Sequence, residues 1–168
     1  MTMTQPDDSA NRSDLLAIYL RDHHAGSAAG LRLAMRARDS ADGVAHTMLV
    51  GLVEEIADDQ QQLESLMKVL NVQRSRLKNA LAVVVERAAR LKLNGRLLSR
   101  SPLSGIVELE ALGSGVRAKR DLWSTLLIAA AHDRRIDRAV VKELHERASA
   151  QLASIDELHD AAVQTTFT

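Results

Sequence analysis

The sequence predicts an all-α fold, a bundle of four long helices, and three observations point to it. β-Branched residues are dispersed rather than alternating with polar ones, so no segment has the two-residue period of a half-buried strand. Apolar residues recur instead at three- and four-residue steps along four stretches of about 26 to 30 residues. Both prolines, Pro6 and Pro102, and the clearest Gly-containing breaks fall at the edges of those stretches.

Residues 1–12 read as a disordered polar tail. The first helix is expected over about 13–38, with Ser13 as N-cap and Asp14 in the first turn, where a carboxylate suits the helix dipole. Asp39-Ser40-Ala41-Asp42-Gly43 ends it. A second helix follows over about 42–70, carrying Leu49, Leu52, Ile56, Leu63, Met67 and Leu70 on one stripe. The loop between the two is short, which makes them antiparallel neighbours. After Asn71 a shorter helix is expected over about 75–91, with Leu77, Leu81, Val84, Ala88 and Leu91 aligned, then a break at Gly95. Ser101-Pro102 is a start signal, because the missing proline N–H would be unpaired in a first turn anyway. The helix it opens runs to about Ala131. His132-Asp133-Arg134-Arg135-Ile136 turns the chain, and the last helix spans about 137–163 before a tail at 164–168. The whole of 13–163 reads as one domain.

At 1.5 Å per residue each long helix reaches roughly 40 Å, and the roughly 30 residues between the two hairpins are enough to cross the bundle lengthwise. Periodicity alone leaves open whether they do so or whether the bundle is the short-looped up-down-up-down kind.

Composition narrows the function classes. The 168 residues balance 22 Lys+Arg against 22 Asp+Glu, which argues against a wholly nucleic-acid-binding protein. No cysteine is present, which excludes disulfides, thiolate metal sites and cysteine nucleophiles. No apolar run approaches the roughly 20 residues of a transmembrane helix, and the N-terminus has neither a basic nor an apolar region of a secretory signal. A cytoplasmic protein without a membrane partner is expected. G-x-x-x-x-G-K-[ST], G-x-G-x-x-G and G-x-S-x-G are all missing, so nucleotide-cradle and hydrolase chemistry has no anchor.

Two strings resemble a known family: Tyr19 to Gly30 (YLRDHHAGSAAG) and Arg90 to Trp123 (RLKLNGRLLSRSPLSGIVELEALGSGVRAKRDLW). They are similar to an uncharacterised bacterial family, actinobacterial in type, of the ferritin-like superfamily, and the resemblance extends from Ser13 to about Ala162. It implies a ferritin-like four-helix bundle with a long crossover between the second and third long helices, the additional short helix lying within it, and it implies no established activity. Arginine outnumbering lysine is compatible with a GC-rich genome.

A di-iron carboxylate site in such a bundle takes one Glu from each of two helices and a Glu-x-x-His from each of the others, because residues three apart share a helix face. The first helix has no Glu and no Glu-x-x-His occurs anywhere. Projected at 100° per residue, the apolar stripes pass instead through Asp22, Asp59 and Arg120, while that of the last helix includes Gln151 with Arg147 beside it. With a crossover topology Asp22, Asp59, Arg120 and Arg147 fall near one level. Two carboxylates and two guanidiniums there form a charge-balanced, salt-bridged layer in place of a metal centre. Two alternatives stand beside it: these side chains reach outward to solvent, or Asp22, His23, Glu55 and Asp59 hold iron or manganese in a divergent oxidase, oxygenase or metal-binding protein.

The stretch between the hairpins is basic, with Arg74, Arg76, Lys78, Arg87, Arg90, Lys92, Arg96 and Arg100 against the single acid Glu86. It can bind nucleic acid, although no aromatic residue lies in it for base stacking, or settle against acidic protein surface. Gly26 and Gly30 read as positions of close helix packing or as the lining of a small cavity. The six histidines are dispersed and form no His-x-x-x-His pair. The leading expectation is a non-catalytic bundle without a cofactor, acting through a protein partner or as a homo-oligomer.

Overall fold

The computed structural model describes residues 8–73 and 102–168. Among these, four helices pack together and no strand is present: α1 (Asp8–Ser40), α2 (Gly43–Val69), α3 (Pro102–Ala129) and α4 (Arg138–Phe167). The expected short helix over 75–91 and the tail before Asp8 lie outside the described residues.

Two boundaries differ from expectation, each for a local reason. Helix α1 begins at Asp8, which places Ser13 inside the helix rather than at its cap; neither Gly nor Pro lies between them to stop propagation. Helix α4 continues past Val163 to Phe167, because the hydroxyls of Thr165 and Thr166 donate to the carbonyls of Ala161 and Ala162 at 2.9 and 2.8 Å and so do not compete with the helix.

The helix ends are closed by backbone geometry. Between α1 and α2, Gly43 adopts φ 56°, and His46 Nδ1 donates to the carbonyl of Arg38 at 3.0 Å, satisfying a terminal acceptor of α1. At the end of α2, Asn71 takes φ 58°, Asn71 N–H donates to Lys68 O at 3.1 Å and Val72 N–H to Met67 O at 2.8 Å. This is a Schellman motif with Asn in the left-handed position. Between α3 and α4, Asp133 accepts from Arg135 N at 3.0 Å, Ile136 is buried, and Asp137 caps α4 by accepting from Ala139 N and Val140 N at 2.9 and 3.3 Å.

The buried apolar residues follow heptad-like steps, for example 109, 112, 116, 123 and 126 on α3 and 141, 144, 148, 155 and 158 on α4. They form two clusters. One joins Ala34 and Ala37 of α1, Leu49 to Ile56 of α2, Leu109 to Val116 of α3 and Leu152 to Leu158 of α4. The other joins Leu20, Leu63 to Leu70, Leu122 to Leu126 and Ile136 to Ala148. The order within the clusters gives the directions: α1 is antiparallel to α2, α3 is antiparallel to α4, and α2 and α3 run parallel. Helix α1 packs against α2 and α3, and α4 against α3 and α2. Because α2 ends at one end of the bundle and α3 starts at the other, the chain between them re-enters at the opposite end from which it left. No described helix is long and apolar enough to cross a membrane.

Candidate functional site

Between the two apolar clusters lies a polar level. Asp59 of α2 and Gln151 of α4 are the two buried polar residues of the described core, each 1% exposed. Both sit on heptad steps, Asp59 between Ile56 and Leu63 and Gln151 between Ala148 and Ile155, so helix geometry carries them inward with their apolar neighbours.

The Asp59 carboxylate is enclosed by donors. Lys119 Nζ of α3 donates to Oδ2, Arg147 Nη2 of α4 donates to Oδ1, and Gln151 Nε2 donates to Oδ2 at 3.1 Å. Gln151 is fully used: its Oε1 accepts from Lys119 Nζ at 2.5 Å, and its amide N–H groups reach Asp59 and Glu55 Oε2, the latter at 3.0 Å. An ammonium can only donate and a carboxylate only accept, so the neighbours dictate the orientation of this amide. Burial pushes the Lys119 ammonium below its ordinary pKa, and the negative charge of Asp59 opposes that shift. Taking several charges out of water is costly, and mutual pairing is what makes the level tolerable.

The residues singled out in the sequence divide into two groups. Asp59, Arg147 and Gln151 meet, and Glu55, although exposed, joins them through Gln151. Asp22 and Arg120 do not belong to the level, which corrects the four-residue layer. Asp22 is exposed, and Arg120 turns to its neighbour Asp121, with Nη2 to Oδ1 at 3.1 Å. The reason is helical phase. On α1 the inward positions are Leu20, Ala34 and Ala37 with His23, Ser27 and Gly30 between, and 22 lies off that line. On α3, position 119 completes the 112, 116, 123 series, and 120 is rotated by about 100°.

Lys119 is therefore the residue that sequence reasoning missed. A stripe drawn through Leu109, Val116 and Trp123 alone passes nearer to 120, about 40° away, than to 119, about 60° away. Leu112, Leu122 and Leu126, all buried, pull it toward 119. The signal was present in the full heptad series.

The proposed metal ligands are not gathered. Among the described residues no group of three or more His, Asp or Glu side chains is placed to hold a metal ion. His23 lies edge-on to Tyr19, ring centroids 4.5 Å apart, and burial lowers its pKa against the opposing charges of Asp22 and Asp121. His24 pairs with Glu64 at 3.1 Å, and His159 lies 3.5 Å from Glu110.

Beside the charge cluster is a small cavity of about 60 Å³ between α1, α2 and α3. Its α1 wall is made by His23, Ser27 and Gly30, where short side chains stand at inward positions. The opposite walls include Asp59, Lys119 and Trp123. No atom lies within 4 Å of where a Cβ on Gly26 or Gly30 would sit, so among the described residues these glycines do not mark a close helix approach, and Gly30 lines the cavity.

Arg74, Arg76, Lys78, Arg87, Arg90, Lys92, Arg96 and Arg100, the candidate basic surface, lie outside the described residues. Exposed large apolar side chains gather toward the two ends of the bundle: Leu15, Ile18, Val69, Ile128 and Val140 at one, Met35, Val44, Leu103, Val107 and Phe167 at the other. Comparison of the sequence with protein-family models and with curated proteins, and of the fold with solved structures, returns no match.

Proposed function

We propose that the chain is a ferritin-like bundle without catalytic activity, in which a charge cluster stands where a di-metal centre would lie, and that it acts by associating with a protein partner or with further copies of itself. The observation that carries this reading is the occupancy of Asp59. Both carboxylate oxygens are taken by Lys119, Arg147 and Gln151, and two of those donors are cations, whose charge repels a metal ion from the same oxygens. The parallel α2 and α3, with re-entry at the opposite end, support the ferritin-like topology over a short-looped bundle.

The association reading draws on the bundle ends. Ile128 is 71% exposed and Leu15 58%, and both lie at the end that also carries Ile18, Val69 and Val140. Exposed apolar side chains grouped in this way are the usual substance of an interface. Sedimentation velocity across a hundredfold concentration range tests it. Self-association that weakens in Leu15→Glu and Ile128→Glu is expected; a monomer throughout, together with no bound protein on pull-down from native extract, contradicts the reading. Nucleic-acid binding by the basic stretch remains the competing proposal, and salt-dependent gel shift distinguishes it.

A further inference from the structure

The middle of α1 is sheltered on every side. From His23 to Leu31 each of nine consecutive residues is half-buried and none is exposed, although nine residues at 3.6 per turn go more than twice round the helix. At 100° per residue Ala29 lies about 180° from Leu20, and Ala25 about 180° from Ala34. Leu20 and Ala34 are fully buried, so these two alanines point out of the bundle. Outward small residues on other helices are exposed: Gly51 on α2, Ala150 and Ala153 on α4. Ala150 stands within about a turn of Glu146 and Arg147 and is exposed all the same, so long neighbouring side chains do not account for the difference.

Among the described helices α2 and α3 pack against α1, and they cover its inward half. The cover on the outer half therefore comes from residues 1–7 or 74–101. Seven residues reach at most about 25 Å when extended, and Leu31 lies roughly 35 Å along the helix from Asp8, so 1–7 are too short for the whole stretch. The 28 residues 74–101 are long enough. They leave α2 at one end of the bundle and return to α3 at the other, and the covered stretch lies between, with Leu20 in one apolar cluster and Ala34 in the other. The chain is already tied to α1 where it leaves α2, because Arg21 Nε donates to the carbonyl of Gln73 at 3.2 Å.

The chemistry matches. Between His23 and Leu31 α1 carries no Asp, Glu, Lys or Arg, whereas the outward faces of the other helices expose charge: Glu54 and Asp58 on α2, Glu110 and Arg117 on α3, Glu143 and Glu146 on α4. The sequence 77–91 supplies an apolar series, Leu77, Leu81, Val84, Ala88 and Leu91, which needs an uncharged surface. We propose that the outer face of α1 from His23 to Leu31 is the docking surface for the chain's own segment 74–101, held through that apolar series. The alanine-, glycine- and serine-rich stretch of α1 then serves as a smooth, uncharged bed. With this face occupied, the apolar surface left for a partner is at the bundle ends, and the docking does not depend on whether such a partner exists.

The chain has no cysteine, so introduced thiols report without background. Ala25→Cys and Ala29→Cys are compared with Ala150→Cys and Ala153→Cys in the purified full-length protein, for the rate of reaction with a maleimide over a wide range of protein concentration. The α1 positions are expected to react at least about tenfold more slowly than the α4 positions at every concentration. In a second set, Leu81→Cys is combined with Ala25→Cys or with Ala150→Cys, treated with a short bismaleimide in dilute solution, and read by mass spectrometry. Helix α4 does not pack against α1, so an intramolecular link to Ala25→Cys and none to Ala150→Cys is expected. Equal rates on α1 and α4 overturn the proposal, and so does protection that disappears on dilution, which assigns the cover to a second copy. A link to Ala150→Cys as ready as that to Ala25→Cys also overturns it. Thermal unfolding shows whether each variant is folded, and Val84→Cys with Ala29→Cys replaces the first pair where that pair does not fold; no link in either pair overturns the proposal.

Discussion

Replacing Asp59 by Asn keeps the shape of the side chain and removes its charge, leaving Lys119 and Arg147 facing a neutral amide that can accept from one of them and presents N–H groups toward the other. Breaking a buried ion pair from one side costs about 3–5 kcal/mol, because the abandoned charge stays buried. Here the partners differ. The Arg147 side chain is 32% exposed and can turn partly to water, whereas that of Lys119 is 17% exposed and is more tightly held. The lower end, about 3 kcal/mol, is therefore expected, which for a chain of this size lowers the melting temperature by roughly 6–12 °C. Urea denaturation with circular dichroism measures the loss, and a double-mutant cycle assigns it. Adding Lys119→Met to Asp59→Asn removes the stranded cation, so the double variant is more stable than the sum of the single losses predicts by at least about 1 kcal/mol. A loss below about 0.5 kcal/mol in Asp59→Asn, or strict additivity in the cycle, refutes the reasoning.

Four further outcomes follow from the same geometry. Burial lowers the Lys119 pKa, so between its folded value and 10.5 the unfolded chain binds more protons, and stability rises with pH across that window; Lys119→Met flattens the rise in denaturation midpoints measured from neutral to pH 10. For His23, also lowered by burial, stability is complete above the ordinary value of 6.5 and is lost as pH falls below it, a slope that His23→Gln removes in urea midpoints compared at pH 7.5 and 5.5. Asp137→Ala deprives two first-turn N–H groups of α4 of their acceptor and lowers stability by about 1 kcal/mol in thermal melts. At Asn71, where φ is 58°, Gly is tolerated or mildly stabilising, while Val costs about 1–2 kcal/mol; the order of the two melting temperatures tests this.

Much of the fold was legible because helix and loop signals are local. Ser101-Pro102, the Gly43 break and the Asp133–Asp137 turn bounded the long helices to within a few residues, and the apolar steps on α2 gave its inward face correctly from Leu49 to Leu70. The outer ends were less legible, since Ser13 and Val163 have neighbours equally able to stay helical. The site was half legible. Asp59 and Gln151 lie on unambiguous stripes, but α1 is rich in Ala and Gly between Ala25 and Gly30 and so offers few large apolar residues from which to set its phase. That is why Asp22 was placed inward when the structure turns it to solvent. Lys119 and Arg120 are adjacent and chemically similar, and only the complete series of buried leucines on α3 separates them.

The polar level also explains why the core is divided in two. An apolar cluster lies on either side, while the hydrogen-bonded level between them requires Asp59, Lys119, Arg147 and Gln151 to stand opposite one another. A slip of one turn in any of α2, α3 or α4 would strand a buried charge, so the cluster penalises wrong registers even where apolar packing would tolerate them.

The central claim is that Asp59 belongs to an internal charge cluster and not to a metal centre. Anaerobic titration with Fe(II) and with Mn(II), followed by thermal unfolding and by metal analysis of the desalted protein, tests it most directly. The account predicts no stoichiometric metal and no rise in the melting temperature with either ion. A dose-dependent rise that saturates near one or two metals per chain and disappears in Asp59→Asn would contradict it.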